Sequence, residues 1–407
     1  MTIIDSTEGK APGRAGVRAW SAVVAVAVGI FALVTAEQLP VGLLAPIGSE
    51  LHVSEGTAGL MVTVPGLVAA LSAPLLPVAI GRLDRRIVLA GLIGLMVAAH
   101  AVSALAPGFG VLLASRVLVG VAIGGFWALA GGLAPRLVPG PAVPRAMSLI
   151  FGGVAAAEVL GVPAGTLIGG WGGWRAAFAV LGGLGALVLI ALVAVLPPLP
   201  ARAPVRLSAL GVALRNPGVR TAVLVTGLLV TGHFTAYTFV GPALEDVSGL
   251  GQGAVGPLLL GYGVAGIVGN FVVAPFAGRD VRKAAFVIAV ALAAAMALFP
   301  LVGTSRVTGV VMLLAWGLAF GGVSVGMQTW ILRAAPDGAE AATSVNTSMF
   351  NFAIALGAFA GGVVVDAAAV PGALWLGGAI AAVTLVVVAR ATAPGKAPSG
   401  KPSGEGV

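Results

Sequence analysis

Six windows of this chain, residues 87–115, 176–201, 221–244, 247–278, 307–332 and 341–365, contain no Asp, Glu, Lys or Arg. Each is long enough for the roughly 20 residues of apolar helix that cross a bilayer. A soluble helix carries charge along its outward face, so uncharged stretches of this length need lipid as their solvent. The composition agrees: 59% of the 407 residues are hydrophobic and 9% charged, where a globular domain carries roughly a quarter charged residues. A soluble enzyme and a soluble domain on a single anchor are excluded.

The chain has no cysteine, which removes disulfides, zinc–thiolate sites, iron–sulfur clusters and cysteine nucleophiles. The formal net charge of +8 would point to nucleic acid in a soluble domain. Here the basic residues fall in short loops, where they set orientation in the membrane, and no nucleic-acid partner is expected. Residues 1–19 are polar and basic ahead of an apolar stretch, but Glu37, Pro40 and Pro46 follow without a small-residue cleavage site, so the reading is an uncleaved first span.

Apolar windows between loop residues give an all-α membrane protein with twelve spans, at 19–46, 57–80, 87–105, 110–135, 146–169, 176–196, 219–243, 253–277, 284–303, 307–332, 341–366 and 371–389. An even number puts both termini on one side. Of the 22 Lys and Arg, all but Arg116, Arg175 and Arg306 fall on that side, from Lys10, Arg14 and Arg18 through Arg202 and Arg206 to Lys396 and Lys401, while Glu50, Glu55, Glu245 and Asp246 lie opposite. The termini are therefore expected in the cytoplasm. The expected organisation is a tail over 1–18, a six-helix bundle over 19–196, a central loop over 197–218, a second bundle over 219–390 and a disordered tail over 391–407. The middle of the central loop, from Arg206 to Arg215, reads equally as a basic amphipathic helix or a solvated linker.

The chain repeats. An offset of 196 residues lays Leu33–Glu37 on Leu229–His233, Pro46 on Pro242, Glu50 on Asp246, and Gly161 and Gly165 on Gly357 and Gly361. One residue more lays Gly81-Arg82 on Gly278-Arg279 and Gly124-Gly125 on Gly321-Gly322. Two parallel halves of six spans follow, with a ligand site expected at their interface near the middle of the membrane.

Two such halves, a basic Gly-Arg loop after span two, an arginine in a glycine-rich span four and a Gly-Pro-Gly span five together resemble the major facilitator superfamily. The runs Glu37–Leu44, Gly161–Thr166 and Gly173–Phe178 are similar to those of the twelve-span bacterial drug:proton antiporters, especially the group of sugar-efflux and chloramphenicol-resistance permeases. The resemblance implies proton-coupled efflux by alternating access. It assigns proton transfer to the arginine of span four, Arg116, and an antiport motif to Gly161, Pro163, Gly165 and Gly169. The cytoplasmic loop motif falls on Gly81, Arg82, Asp84, Arg85 and Arg86, without the usual second glycine.

Glu37 is the first proton-coupling candidate, because an intramembrane carboxylate is costly and is functional by default. Pro40 also strips the Ala36 carbonyl of its helical partner. Arg116 stays charged and needs a carboxylate or carbonyls, with Glu37 one choice and snorkelling outward the other. His233 takes the repeat-related place of Glu37 and serves either as a titrating group or as a structural histidine. Glu158, near midmembrane, departs from the related permeases, which carry an uncharged residue there; it either widens selectivity toward cations, adds a second proton site or is a locally bonded acid. Span five's glycines let helices approach closely, and a seat at the interface of the halves is expected for them. Gln38, Trp127, Tyr237, Asn270, Gln328, Trp330 and the stripe Thr343, Thr347, Asn351 are candidate cavity groups, each with helix packing as its plainer alternative.

No phosphate loop, metal cluster or nucleophile arrangement appears in the sequence, so neither a cofactor nor a metal is expected and the chain is read as no enzyme. The leading expectation is a monomeric exporter of drug-like or chloramphenicol-like small molecules in exchange for protons across the cell membrane. The alternatives are an exporter of sugars, nucleosides or another polar metabolite, and a receptor or scaffold that does not transport.

Overall fold

The computed structural model describes residues 16–130, 133–200 and 207–391. Lys10 and Arg14, Arg202 and Arg206, and the tail with Lys396 and Lys401 lie outside the described residues. Among those described there is no strand, and ten helices are long and apolar enough to cross a membrane. Eight of the crossings are Val17–Gln38 (span one), Leu60–Ala79 (two), Arg85–Ala104 (three), Phe109–Ala130 (four), Pro217–Tyr237 (seven), Gln252–Arg279 (eight), Val281–Val302 (nine) and Arg306–Ala334 (ten).

The other two helices, Val143–Val195 and Ala339–Arg390, are 53 and 52 residues long, too long for one crossing. Each is broken once. Gly173, at φ 77° and ψ 163°, divides spans five and six, a conformation open to glycine because it has no Cβ. Ala368 and Ala369 divide spans eleven and twelve. Counting each as two crossings gives twelve. Span one ends at Gln38 rather than 46, and a 3₁₀ turn over Leu39–Gly42 and a short helix Leu44–Leu51 follow, because Pro40 has no N–H to carry the ladder on. In the central connection a helix forms over Leu207–Ala213, with Val212 and Leu214 just beyond it exposed.

The repeat seen in the sequence is also a repeat of contacts. A side-chain carbon at Gly161 would press on Thr35, and one at Gly357 on Thr231; Gly165 meets Leu39 as Gly361 meets Thr235. All four residues of the second set stand 196 after those of the first. Spans two and four cross where Gly120 and Gly124 lie against the carbonyls of Pro65 and Ala69, and spans eight and ten cross where Gly317 and Gly321 lie against those of Tyr262 and Gly266, an offset of 197 throughout. Without water between helices, association in lipid rests on such close backbone approach.

Loops on the face that carries the start of span one, the near face, follow the same rule. Asp84 caps span three by accepting from Arg86 N at 2.8 Å, and it also accepts from Leu199 N at 2.8 Å. Asp280, 196 residues later, caps span nine through Arg282 N at 3.0 Å and Lys283 N at 3.1 Å. Those amides hold the Asp280 carboxyl below its ordinary value. Arg86 donates to the Val193 carbonyl, and Arg282, again 196 later, to that of Ala389. The basic loop motif is thus tied to the last span of its own half; Gly81 turns at φ 49°.

On the far face Glu50 accepts from Arg175 and, at 2.7 Å, from Trp174 Nε1, while Arg175 also donates to the Ala106 carbonyl at 3.0 Å. Chiefly through the Arg175 bond, the Glu50 carboxyl is held below the ordinary carboxylate value of 4.5.

Two predictions follow from this packing. Gly321→Ala drives a methyl into the Gly266 carbonyl and should lower stability by about 1–3 kcal/mol, read as a fall in thermal unfolding temperature in detergent; Gly91→Ala, with nothing within 4 Å of the new methyl, should not. Because Glu50 is the stronger acid when folded, its clamp contributes in full above pH 4.5 and is lost as pH falls through the lower folded value. Arg175→Gln should therefore melt below the native chain at neutral pH, with the gap closing under acid conditions; a gap that widens in acid overturns this account.

Candidate functional site in the core of the two halves

Where span one breaks at Pro40, the Ala36 carbonyl has lost its helical donor, and Arg116 of span four replaces it: Nη2 donates to Ala36 O at 2.5 Å and Nε to Met61 O at 3.3 Å. The guanidinium is fully buried, its Nη1 has no hydrogen-bond partner, and it stands 5.8 Å from the Phe178 ring centroid. It does not snorkel. Glu37, the next residue along, is 5% exposed and its Oε1 is unpartnered. The two groups act on each other electrostatically, yet among the described residues the ion pairs are Arg175–Glu50 and Lys283–Asp280. The result is a buried carboxyl and a buried cation that act on each other, neither fully satisfied.

His233, the repeat counterpart of Glu37, sits in an aromatic cage. Its Nδ1 accepts from Trp316 Nε1 at 3.2 Å, it stacks on Phe320 with centroids 3.5 Å apart, and Tyr237 lies parallel at 4.9 Å. A ring accepting at Nδ1 is neutral with its proton on Nε2, and that nitrogen has no partner. Both of the chain's tyrosines, Tyr237 and Tyr262, stack on each other at 4.9 Å, and the Tyr262 hydroxyl is buried without a partner.

Glu158 is placed by the faces of span five. At about 100° per residue, Gly161 and Gly165 face span one, Val159 and the Pro163 carbonyl face Gly263 and Gly256 of span eight, and the exposed Leu160, Leu167 and Trp171 face outward. The remaining sector, opposite the lipid side, holds Phe151, Ala155 and Glu158, all accessible. The glycine ladder Gly161–Gly165–Gly169 therefore packs on Thr35, Leu39 and Leu43 within the first half, rather than at the seam expected for it, because the seam takes the opposite face of the helix.

Among the described residues, every side-chain hydrogen bond between the halves and every glycine packed across the seam lies between the far face and the middle. Asp366 accepts from Ser54 Oγ at 2.7 Å and Gly56 N at 3.0 Å. Gly59 meets Phe239, Gly66 meets Asn351 and Ala355, and Gly263 meets Val159. On the near-face side of these contacts Phe151, Ala155 and Glu158 are accessible in the sector turned from lipid, so the halves part toward the near face, with Glu158 next to the last contact, that of Val159 with Gly263.

Of the expected cavity groups, Gln38, Trp127, Asn270, Gln328 and Thr347 are partly exposed. Trp330 is fully buried in the core of the second half, with its Nε1 unpartnered. Tyr237 and Asn351 are also buried, and Asn351 donates to the Thr347 carbonyl of its own helix at 2.9 Å. Gln328 bonds Thr343 at 3.1 Å. The aromatic cage and the Asp366 contact are not read from the sequence, since their partners lie 83 and more than 300 residues apart.

Residues 26–344 match the family model described as Major Facilitator Superfamily. The chain is 36% identical over 399 residues to the transcription regulatory protein OpdE of Pseudomonas aeruginosa, covering 95% of this chain and 98% of that protein. It is 35% identical over 370 residues to the purine ribonucleoside efflux pump NepI of Salmonella typhimurium, covering 91% and 93%. Two solved structures share the fold at 18% identity. One is the human organic anion transporter MFSD10 (TETRAN), TM-score 0.65, covering 91% of this chain and 99% of that one. The other is a bacterial homolog of the human lysosomal transporter Spinster, inward-facing and unoccupied, TM-score 0.67, covering 93% and 96%. With two repeated halves around a gap closed at one face, and with most of its length matching the family model, the chain belongs to the major facilitator superfamily and is a membrane transporter.

Proposed function

We propose that the chain exports small polar molecules, purine nucleosides foremost, across the cell membrane in exchange for protons. The observation that carries the coupling is Glu37 beside Arg116, both buried and both incompletely bonded. A cation nearby stabilises the ionised acid, while lipid and protein around it favour the neutral one. The two forms are brought close enough in energy for a proton to be taken up and released within the cycle. The nucleoside part rests on the named activity of the NepI relative.

In this reading the termini and the basic loops lie in the cytoplasm, the open gap is the loading side, and the chain works as a monomer. Substrate enters, the halves rock, the far-face contacts at Asp366 part, and Glu37 takes a proton from outside before the return. The driving force suffices. One proton moving down 100 mV yields roughly 2.3 kcal/mol, and a pH unit adds about 1.4, together enough for a gradient of several hundredfold.

Drug-like and chloramphenicol-like compounds are the second substrate reading, on the resemblance to their permeases. A receptor that binds without moving its ligand is the third, prompted by the OpdE relative, which is named a transcription regulatory protein.

Ligand-induced proton release from purified, weakly buffered protein separates them. Guanosine, adenosine, chloramphenicol and a pentose are added in turn to the native chain and to Glu37→Gln. Release on nucleoside alone, abolished in the variant while nucleoside binding persists, is the expected result. Release on chloramphenicol alone moves the substrate to the second reading, and equal release from Glu37→Gln removes Glu37 from the coupling. In vesicles, binding without uptake under an imposed pH gradient would establish the receptor.

A further inference from the structure

The proton-coupling account leaves one intramembrane acid unused. Glu158 lies in the accessible sector of span five that faces the gap between the halves, one residue before Val159, whose backbone meets Gly263 of span eight. It is therefore at the closed end of the gap, where a bound molecule touches both halves. It is exposed, it makes no hydrogen bond or ion pair among the described residues, and no cationic side chain acts on it. Its charge reaches across the seam to Tyr237 and Tyr262, and the Tyr262 hydroxyl, on a residue 6% exposed, is itself unpartnered. An accessible carboxyl without a protein partner, next to the point where span five meets span eight of the other half, has the unmet bonding of a ligand site.

We propose that Glu158 is the group that reads the substrate, accepting two adjacent N–H donors from the rim of a flat ring. A carboxylate presents two acceptor oxygens side by side, and its natural complement is a pair of parallel N–H groups, as on a guanine edge or an amidinium. The adenine edge, which alternates donor and acceptor, is the poorer match. Choosing a nucleoside as the natural form of this ligand rests on the function proposed above; the pairing of Glu158 with an N–H rim does not.

The test is equilibrium binding of guanosine, inosine, adenosine and benzamidine to the full chain in lipid nanodiscs, native and Glu158→Gln, with thermal unfolding to show that each sample is folded. The native chain should prefer guanosine over inosine, which offers one of the two donors, and inosine over adenosine. In Glu158→Gln, guanosine and benzamidine should weaken about tenfold or more, the scale of a charge-assisted hydrogen bond, while adenosine changes little. Glu158→Asp, which keeps both acceptors, should restore the guanosine preference and serves where the amide variant does not fold. Unchanged guanosine and benzamidine affinity in Glu158→Gln overturns the assignment, as does a folded native chain that binds none of the four. Benzamidine bound by the native chain and lost in the variant, with no nucleoside bound at all, leaves Glu158 in its role and overturns the nucleoside reading alone.

Discussion

In hydrocarbon there is no water to satisfy a freed backbone group, so every interruption of a helix must be answered by another part of the chain. Much of this structure is a set of such answers. Pro40 frees the Ala36 carbonyl, and Arg116 fills it. The starts of spans three and nine are met by Asp84 and Asp280, and the ends of spans six and twelve by Arg86 and Arg282. At the seam the amide of Gly56 is met by a carboxylate from the other half. The charges that survive in so apolar a chain are concentrated where a helix must stop, and the few that are not, Glu37 and Glu158 above all, stand out for that reason.

The same constraint explains how function sits in the fold. Arg116 is held by carbonyls from spans one and two, so it is a rigid part of the first half, and Glu37 shares that surround. His233 holds the corresponding place in the second half, enclosed by aromatic rings instead of a counter-charge. A duplicated scaffold thus carries two chemistries at equivalent points: an acid with a neighbouring cation on one side, a neutral ring in a dry cage on the other. The gap between them is where the halves differ from a packed core.

The number of crossings, the division into halves and the repeat were legible because they are properties of composition and spacing. Gly161 and Gly357 share an offset, and the contacts they make share it too. The faces of the helices were less legible. Trp330 and Asn351 looked like cavity groups from their chemistry, and only the packing of ten or eleven other spans shows that one is in the core and the other bonds its own helix. The ladder of span five was visible as a motif, but which neighbour it met depended on the whole arrangement. The cage around His233 and the contact of Asp366 with Ser54 join residues far apart in the chain, which no local pattern encodes.

The two offsets, 196 for the contacts of span one with five and 197 for those of span two with four, alternate along the chain. Between one set and the next, the two halves differ by a single residue in length, while the residues that meet within a set keep one offset. Inside a helix such a change would turn every later side chain by about 100° and set bulk where a neighbouring carbonyl must pass. The connections therefore act as the chain's tolerance for change in length, while the crossings remain fixed in register. A residue more or less at the membrane surfaces thus leaves the helix contacts inside each half undisturbed.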